Sequence, residues 1–328
     1  MRRCIAFIKN WTLPVAIATG TVIYLLFARV TALASAAAVL GPLCEALLPV
    51  SIFLTLFVTF AKVDFHLMRL RRWHAAIIGM QLLAVAAITA LTYYIIATKG
   101  ADGSARNTIL VLEAVLVCII APCASASPVV TAKLGGDLTQ MTTFVLLSSL
   151  AAALLIPVVF PMLEPHAGAT FLGAFLAILR RLATVLLLPL LLGAVVRHWV
   201  RPLYRWLMGT SDLGFYLWGV SLAITSGITV RNIVTTTATH ALTLAIAAAA
   251  LATAVVQFRI GRAIGHRCQA TICCGQAMFQ KNTGLAIWIA YVYLSPLASI
   301  GAGCYVLWQN IINSYELWQQ RTKPHDTA

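Results

Sequence analysis

Ala121-Pro122-Cys123-Ala124-Ser125-Ala126-Ser127-Pro128-Val129-Val130-Thr131 and Gly275-Gln276-Ala277-Met278-Phe279-Gln280-Lys281-Asn282-Thr283-Gly284 are the two stretches on which the fold turns. Each interrupts an apolar run long enough for a membrane helix, the first near 107 to 133 and the second near 268 to 293. Lipid supplies no hydrogen bonds, so a helix broken at bilayer depth must be buried against protein or line a cavity. Pro128 removes a backbone donor and clashes with the carbonyl four residues earlier, while Gly275 and Gly284 permit unwound backbone. In the second stretch Gln276, Gln280, Lys281, Asn282 and Thr283 form a polar run that is costly in hydrocarbon unless it serves a site.

The surrounding sequence is that of a membrane protein. Of its 328 residues 61% are hydrophobic and 10% charged, against roughly 45–50% and about 25% in ordinary soluble domains. A soluble globular domain, a disordered chain and a disulfide-stapled scaffold are excluded on those grounds. Hydropathy and breakers predict further spans near 11 to 28, 40 to 61, 74 to 98, 138 to 162, 182 to 200, 213 to 230, 239 to 261 and 296 to 318. The expectation is an all-α polytopic protein of about ten transmembrane helices. The first span has the basic flank of a signal peptide, but Arg29 intrudes before the small-residue site that would be cleaved, so it is read as a retained helix. The net charge of +14 is spread between apolar segments rather than gathered on one face, which argues against nucleic acid as a partner. Arg2, Arg3, Lys9, Lys62, Arg69, Arg71, Arg72, Lys133, Arg197, Arg201, Arg205, Arg259, Arg262, Arg267, Arg321 and Lys323 then fall on one side, placing both termini in the cytoplasm. The eight cysteines show no CxxC spacing and are read as packing residues, so no metal site and no cofactor is expected.

Ten spans divide into five plus five. Residues 1–162 form a first repeat, 163–181 a connector ending in Arg180-Arg181, and 182–328 a second repeat. An odd number of spans per half makes the halves inverted copies, with the fourth and ninth helices as the discontinuous, crossing pair. Half-helix ends then meet near the midplane, where their N-termini favour an anion and freed carbonyls hold a cation.

Pro122-Cys-Ala-Ser-Ala-Ser127-Pro128-Val-Val-Thr131, followed by Gly-Gly136-Asp137, resembles the fourth-helix crossover of the bile acid/sodium symporter family. Gln276-Ala-Met-Phe-Gln280-Lys281, followed by Gly284-Leu-Ala-Ile, resembles its ninth-helix crossover, and Gln81 is similar to its third-helix glutamine. The resemblance implies a panel domain and a core domain with substrate in the cleft between them, alternating access by their relative motion, a small organic anion as substrate, and the cell inner membrane as location. It also implies a site built from Gln81, Ser125, Ser127, Pro128, Thr131, Gln276, Gln280, Lys281, Asn282 and Thr283. Five positions depart from the family pattern. Pro128 follows Ser127 where bacterial members have Asn, Gln276 stands at the Glu position, Lys281 at the Asn position, and Met141 and Val145 align with the fifth-helix hydroxyls. The site has thus lost a carboxylate and gained an ammonium, whose repulsion of a bound sodium ion is severe at low dielectric. Sodium coupling is therefore not carried over. Lys281 is expected to bridge the crossover carbonyls and Gln276 or Gln280 in place of a cation, which leaves coupling to protons and direct uniport both open.

Among the other acids, Glu45 and Glu113 are read as solvated or interfacial carboxylates, and Asp137 as a helix cap. Trp and Tyr residues near span ends, Trp73 among them, are read as interfacial anchors. No GxxxxGK[ST] loop, facing aspartate pair or HExxH occurs within the spans, which argues against an enzyme. Two other readings stay open at this level. One is an arsenite exporter using the thiolate of Cys123, which sits in an Ala-Pro-Cys sequence similar to that family's motif. The other is a membrane sensor that binds without translocating.

Overall fold

A computed structural model describes residues 12–62, 68–164, 170–210 and 213–322. The expectations for Arg2, Arg3, Lys9 and Lys323, including the placing of both termini, fall outside these residues, as does part of the connector. The described residues are helical throughout, without strands. In chain order the helices are α1 (Thr12–Arg29), α2 (Ala34–Ala61), α3 (Arg72–Lys99), α4 (Arg106–Ile120), α5 (Ser127–Lys133) and α6 (Leu138–Leu163). There follow α7 (Phe171–Trp199), α8 (Arg201–Gly209), α9 (Leu213–Thr235), α10 (His240–Arg267), α11 (Thr271–Phe279), α12 (Thr283–Tyr293) and α13 (Pro296–Thr322). Six of them carry stretches long and apolar enough to cross a membrane: Ser35–Ala61, Arg72–Lys99, Leu138–Leu163, Phe171–Trp199, Tyr216–Thr235 and His240–Arg267. The chain is polytopic.

Each stretch expected to be a span is helical, and the two marked as broken are broken. The connector differs from expectation. Its second part, ending in Arg180-Arg181, is the first turns of α7 and runs through a π turn at Ala183–Leu187 without interruption. The amphipathic helix α8 is an addition that hydropathy did not mark as a separate element.

Ser and Thr hydroxyls inside these helices donate to carbonyls one turn back, as with Thr55 to Ser51 O at 2.7 Å, Ser149 to Val145 O at 2.8 Å and Thr225 to Ser221 O at 2.9 Å. That local bond lets a hydroxyl sit in hydrocarbon while its oxygen stays available to a neighbour. Helices pack through small residues. A Cβ on Gly20 of α1 would stand 1.9 Å from Ala223 O of α9, and one on Gly301 of α13 would stand 2.6 Å from Ala114 Cβ of α4. Two packing groups result. α1 lies on α9, α9 on α2 and α2 on α7. α3, α6, α10 and α13 surround the broken helices α4–α5 and α11–α12, and α12 touches both groups through α13 and α2. Trp73 is buried at 4% exposure and stacks near Phe144, with ring centroids 5.5 Å apart, so it is a core residue and not an interfacial anchor.

Candidate functional site

The two interruptions cross at Cys123 and Lys281, which face each other as a single antiparallel bridge. Ala124 N donates to Gln280 O at 2.9 Å and Asn282 N donates to Pro122 O at 2.8 Å. Each broken backbone therefore satisfies the other, which is the accounting that lipid imposes. The groups pointing away from the bridge are met by side chains. Cys123 N donates to Ser148 Oγ at 2.9 Å. Gln309 from α13 acts as a substitute strand for Lys281, accepting from its N at 3.0 Å and donating to its O at 3.3 Å.

The residue that makes the first break is Pro122, not Pro128. α4 ends at Ile120, Ala121 is extended with ψ 141, and Pro128 sits in the first turn of α5, where a missing N–H deprives no bond. The second break is likewise not made by glycine. Gly275 and Gly284 lie inside α11 and α12; the chain leaves the helix at Gln280, with φ −82 and ψ 95, and turns at Asn282, across which Thr283 N donates to Lys281 O at 2.9 Å. Asn282 then starts α12 by accepting from Leu285 N at 3.2 Å. Gly275 packs where a Cβ would be 3.0 Å from Arg262 Cγ.

Both helices that end at the crossing present C-terminal carbonyls, the negative end of the helix dipole. Those of α4 are closed by two donors. Gln81 Nε2 lies 2.9 Å from Ile119 O and 3.3 Å from Ala121 O, and Lys281 Nζ lies 3.0 Å from Ile119 O. Those near the end of α11 receive Tyr305, whose hydroxyl donates to Phe279 O at 2.7 Å and accepts from Gln257 Nε2 at 3.0 Å. Lys281 is 1% exposed, so its ammonium does not snorkel to the interface. Nor does it reach Gln276 or Gln280, against expectation. Gln276 instead donates to Asn313 Oδ1 at 3.0 Å, one turn down α11. The side chain of Gln280, wholly buried, has no hydrogen-bond partner among the described residues.

Of the other expected site residues, Ser127 accepts from Cys123 Sγ at 3.1 Å and its hydroxyl lies 3.5 Å from Gln280 O. Ser125, Asn282 and Thr283 line a cleft between the crossing and α2 and α9, together with Thr55, Trp218, Ser221 and Thr225. The cleft is about 20 Å³, room for one water. Thr131 stands away from it, at the far end of α5, against Gly136. Cys123 is 1% exposed, and no group of three His, Cys, Asp or Glu side chains suited to a metal ion occurs among the described residues. Asp137 caps α6 by accepting from Gln140 N at 3.0 Å.

Glu113 is fully buried, not interfacial, with neither carboxyl oxygen accepting a hydrogen bond, and it lies against the Arg106–Glu164 ion pair of 2.9 Å. Glu45 pairs with Arg231 at 2.5 Å. The residues missed in the sequence are Ser148, Gln257, Tyr305, Gln309 and Asn313. A signal existed for three of them: Tyr305, Gln309 and Asn313 recur at spacing four, a polar stripe on one face of an apolar helix.

The family model described as the Sodium Bile acid symporter family matches residues 49–236. That is more than half the chain, running from α2 through the first break to the end of α9, and stopping short of the second break. No curated protein matches the chain. The chain belongs to the sodium bile acid symporter family and is a membrane transporter, not an enzyme.

Proposed function

We propose that the protein is a secondary transporter that carries a small organic anion by alternating access, without sodium, using the ammonium of Lys281 as a fixed cation. The observation that carries this reading is the Lys281 Nζ to Ile119 O bond of 3.0 Å from a side chain 1% exposed. The carbonyls at the α4 end, which would attract a diffusible cation, already hold a covalently attached one, and a second positive charge beside it is strongly disfavoured. Position 276 carries an amide and no carboxylate to offset a further cation.

Packing supports the ten-span arrangement of two inverted repeats, 1–162 and 182–328. Exchanging the halves exchanges the contact of α1 with α9 for that of α7 with α2, and the contact of α3 with α4 for that of α10 with α11. The group α1, α2, α7 and α9 corresponds to a panel and the remaining spans to a core, with the hydroxyl-lined cleft between them as the substrate site. The first turn of α12, at Thr283 and Gly284, and the hydroxyl-bearing Ser125 border that cleft. The distribution of basic residues puts both termini on the cytoplasmic side of the inner membrane.

The test reads sodium directly. Purified protein in uncharged detergent is melted in sodium chloride and in potassium chloride, then reconstituted for counterflow of the anions that stabilise it. The melting temperature and counterflow rate are expected to be equal in the two salts. The double variant Q276E/K281N is expected to gain a sodium-dependent stabilisation of about 2.7 kcal/mol at one hundred times its dissociation constant. Sodium-stimulated counterflow by the unaltered protein overturns the reading. An imposed pH gradient in the same vesicles reads proton coupling.

A further inference from the structure

Beyond the narrow cleft, toward the C-terminal end of α12, a groove of about 870 Å³ opens between α2, α7 and α12. Its polar and aromatic walls are Glu45, Arg180, Arg181, Thr184, Trp288 and Tyr293. It shares its helical stripes with the cleft. On α2, Pro42, Glu45 and Pro49 in the groove continue at the same spacing to Ile52 in the cleft, and on α12, Val292 and Trp288 continue to Gly284. The two spaces therefore lie one helical turn apart along two shared helices, about 5 Å.

The groove carries unspent positive charge. Arg180 and Arg181 are exposed to it, about 13 Å along α7 from Phe171, inside a helix apolar enough to span a membrane. Among the described residues neither forms an ion pair, and the guanidinium of Arg181 lies 5.8 Å from the centre of the Trp288 ring. The carboxylate within reach, Glu45, is taken by Arg231, which in turn lies 5.8 Å from the centre of the Tyr291 ring. Two adjacent guanidinium groups at this depth are costly unless a counter-anion or water meets them. Their planar forks match an oxyanion with two parallel hydrogen bonds, and the Trp288 and Tyr293 rings give an apolar wall beside it. The π turn that starts two residues later, at Ala183, fixes the rotation of this face relative to the rest of α7.

We propose that this groove is a second anion subsite, in which Arg180 and Arg181 take the carboxylate, or like oxyanion, of a soluble organic anion whose apolar body rests on Trp288, before it moves one turn inward to the cleft. The subsite rests on the transporter reading for its purpose and on its own geometry for binding. The same chemistry is offered by an anionic lipid headgroup, so the test separates the two.

Arginine modification by phenylglyoxal is followed residue by residue by mass spectrometry, with 1-naphthoate as probe and uncharged 1-naphthamide as control, first in maltoside detergent. Naphthoate is expected to slow modification of Arg180 and Arg181 at least threefold while the amide does not, and while exposed Arg205 reacts at an unchanged rate. In R180Q the protection of Arg181 is expected to vanish. Equal rates with and without naphthoate overturn the proposal and need no variant. So does protection by phosphatidylglycerol over phosphatidylcholine nanodiscs with no effect of naphthoate in detergent, which assigns the groove to lipid. Protection without counterflow of labelled naphthoate sinks the transporter reading and leaves the subsite standing. Counterflow whose KM is unchanged in R180Q/R181Q sinks the subsite and leaves transport standing.

Discussion

Tyr305 and Gln280 are both wholly buried against the crossing, and the two make opposite demands on their surroundings. The Tyr305 hydroxyl holds Phe279 O and Gln257 Nε2 at once. Replacing it by Phe strands a carbonyl and an amide donor, each with a desolvation cost of about 1–3 kcal/mol. Y305F is therefore expected to lower the melting temperature in detergent, and an unchanged melt would show that water reaches these groups. Gln280 instead leaves both ends of its amide unpaired among the described residues, an arrangement that stability alone does not favour. Q280M keeps the shape and removes the orphaned groups. It is expected to melt no lower than the unaltered protein while counterflow falls at least tenfold. A drop in stability with full transport would assign Gln280 to packing.

At the scale of elements, the backbone breaks are held by partners remote in sequence. Pro122 ends α4 by itself, because the residue before proline is driven out of the helical region. Neither proline nor glycine ends α11: the non-helical Gln280–Asn282 contains neither, and it stays out of the helix because Pro122, Ala124 and Gln309 complete its hydrogen bonds. The approach of α1 to α9 is similarly specified by one missing methyl. G20L cannot be accommodated beside Ala223 O without moving the helix, and it is expected to cost about 1–3 kcal/mol. Gly41 in α2 has nothing within 4 Å of an added Cβ. G41A is accordingly expected to melt at or slightly above the unaltered protein, since alanine favours the helix by up to ~1 kcal/mol. Comparing the two melts checks close packing against a general intolerance of glycine replacement.

At the scale of the whole molecule, the arrangement of basic residues predicts the orientation of the chain, and one thiol tests it. Cys268 is exposed at the turn between α10 and α11, beside Arg262 and Arg267 of the basic set. In a C4S/C44S background, a membrane-impermeant maleimide is expected to label Cys268 in inside-out vesicles and to spare it in right-side-out ones. The reverse pattern would invert the topology, and with it the side on which the arginine groove opens.

The order of helices, the places where two of them break and the concentration of polar residues at those breaks were determined by the sequence alone, because hydropathy and spacing are properties of contiguous residues. Tertiary structure decided which residues close the breaks. Lys281 reaches a carbonyl at position 119 and not the amides of Gln276 or Gln280 that lie near it in sequence. Gln309, Tyr305 and Ser148 become part of the crossing only because α13 and α6 are packed against it. The physical reason is that buried polar groups must find a partner somewhere, and in a membrane protein that partner is supplied by whichever helix the packing brings within 3 Å.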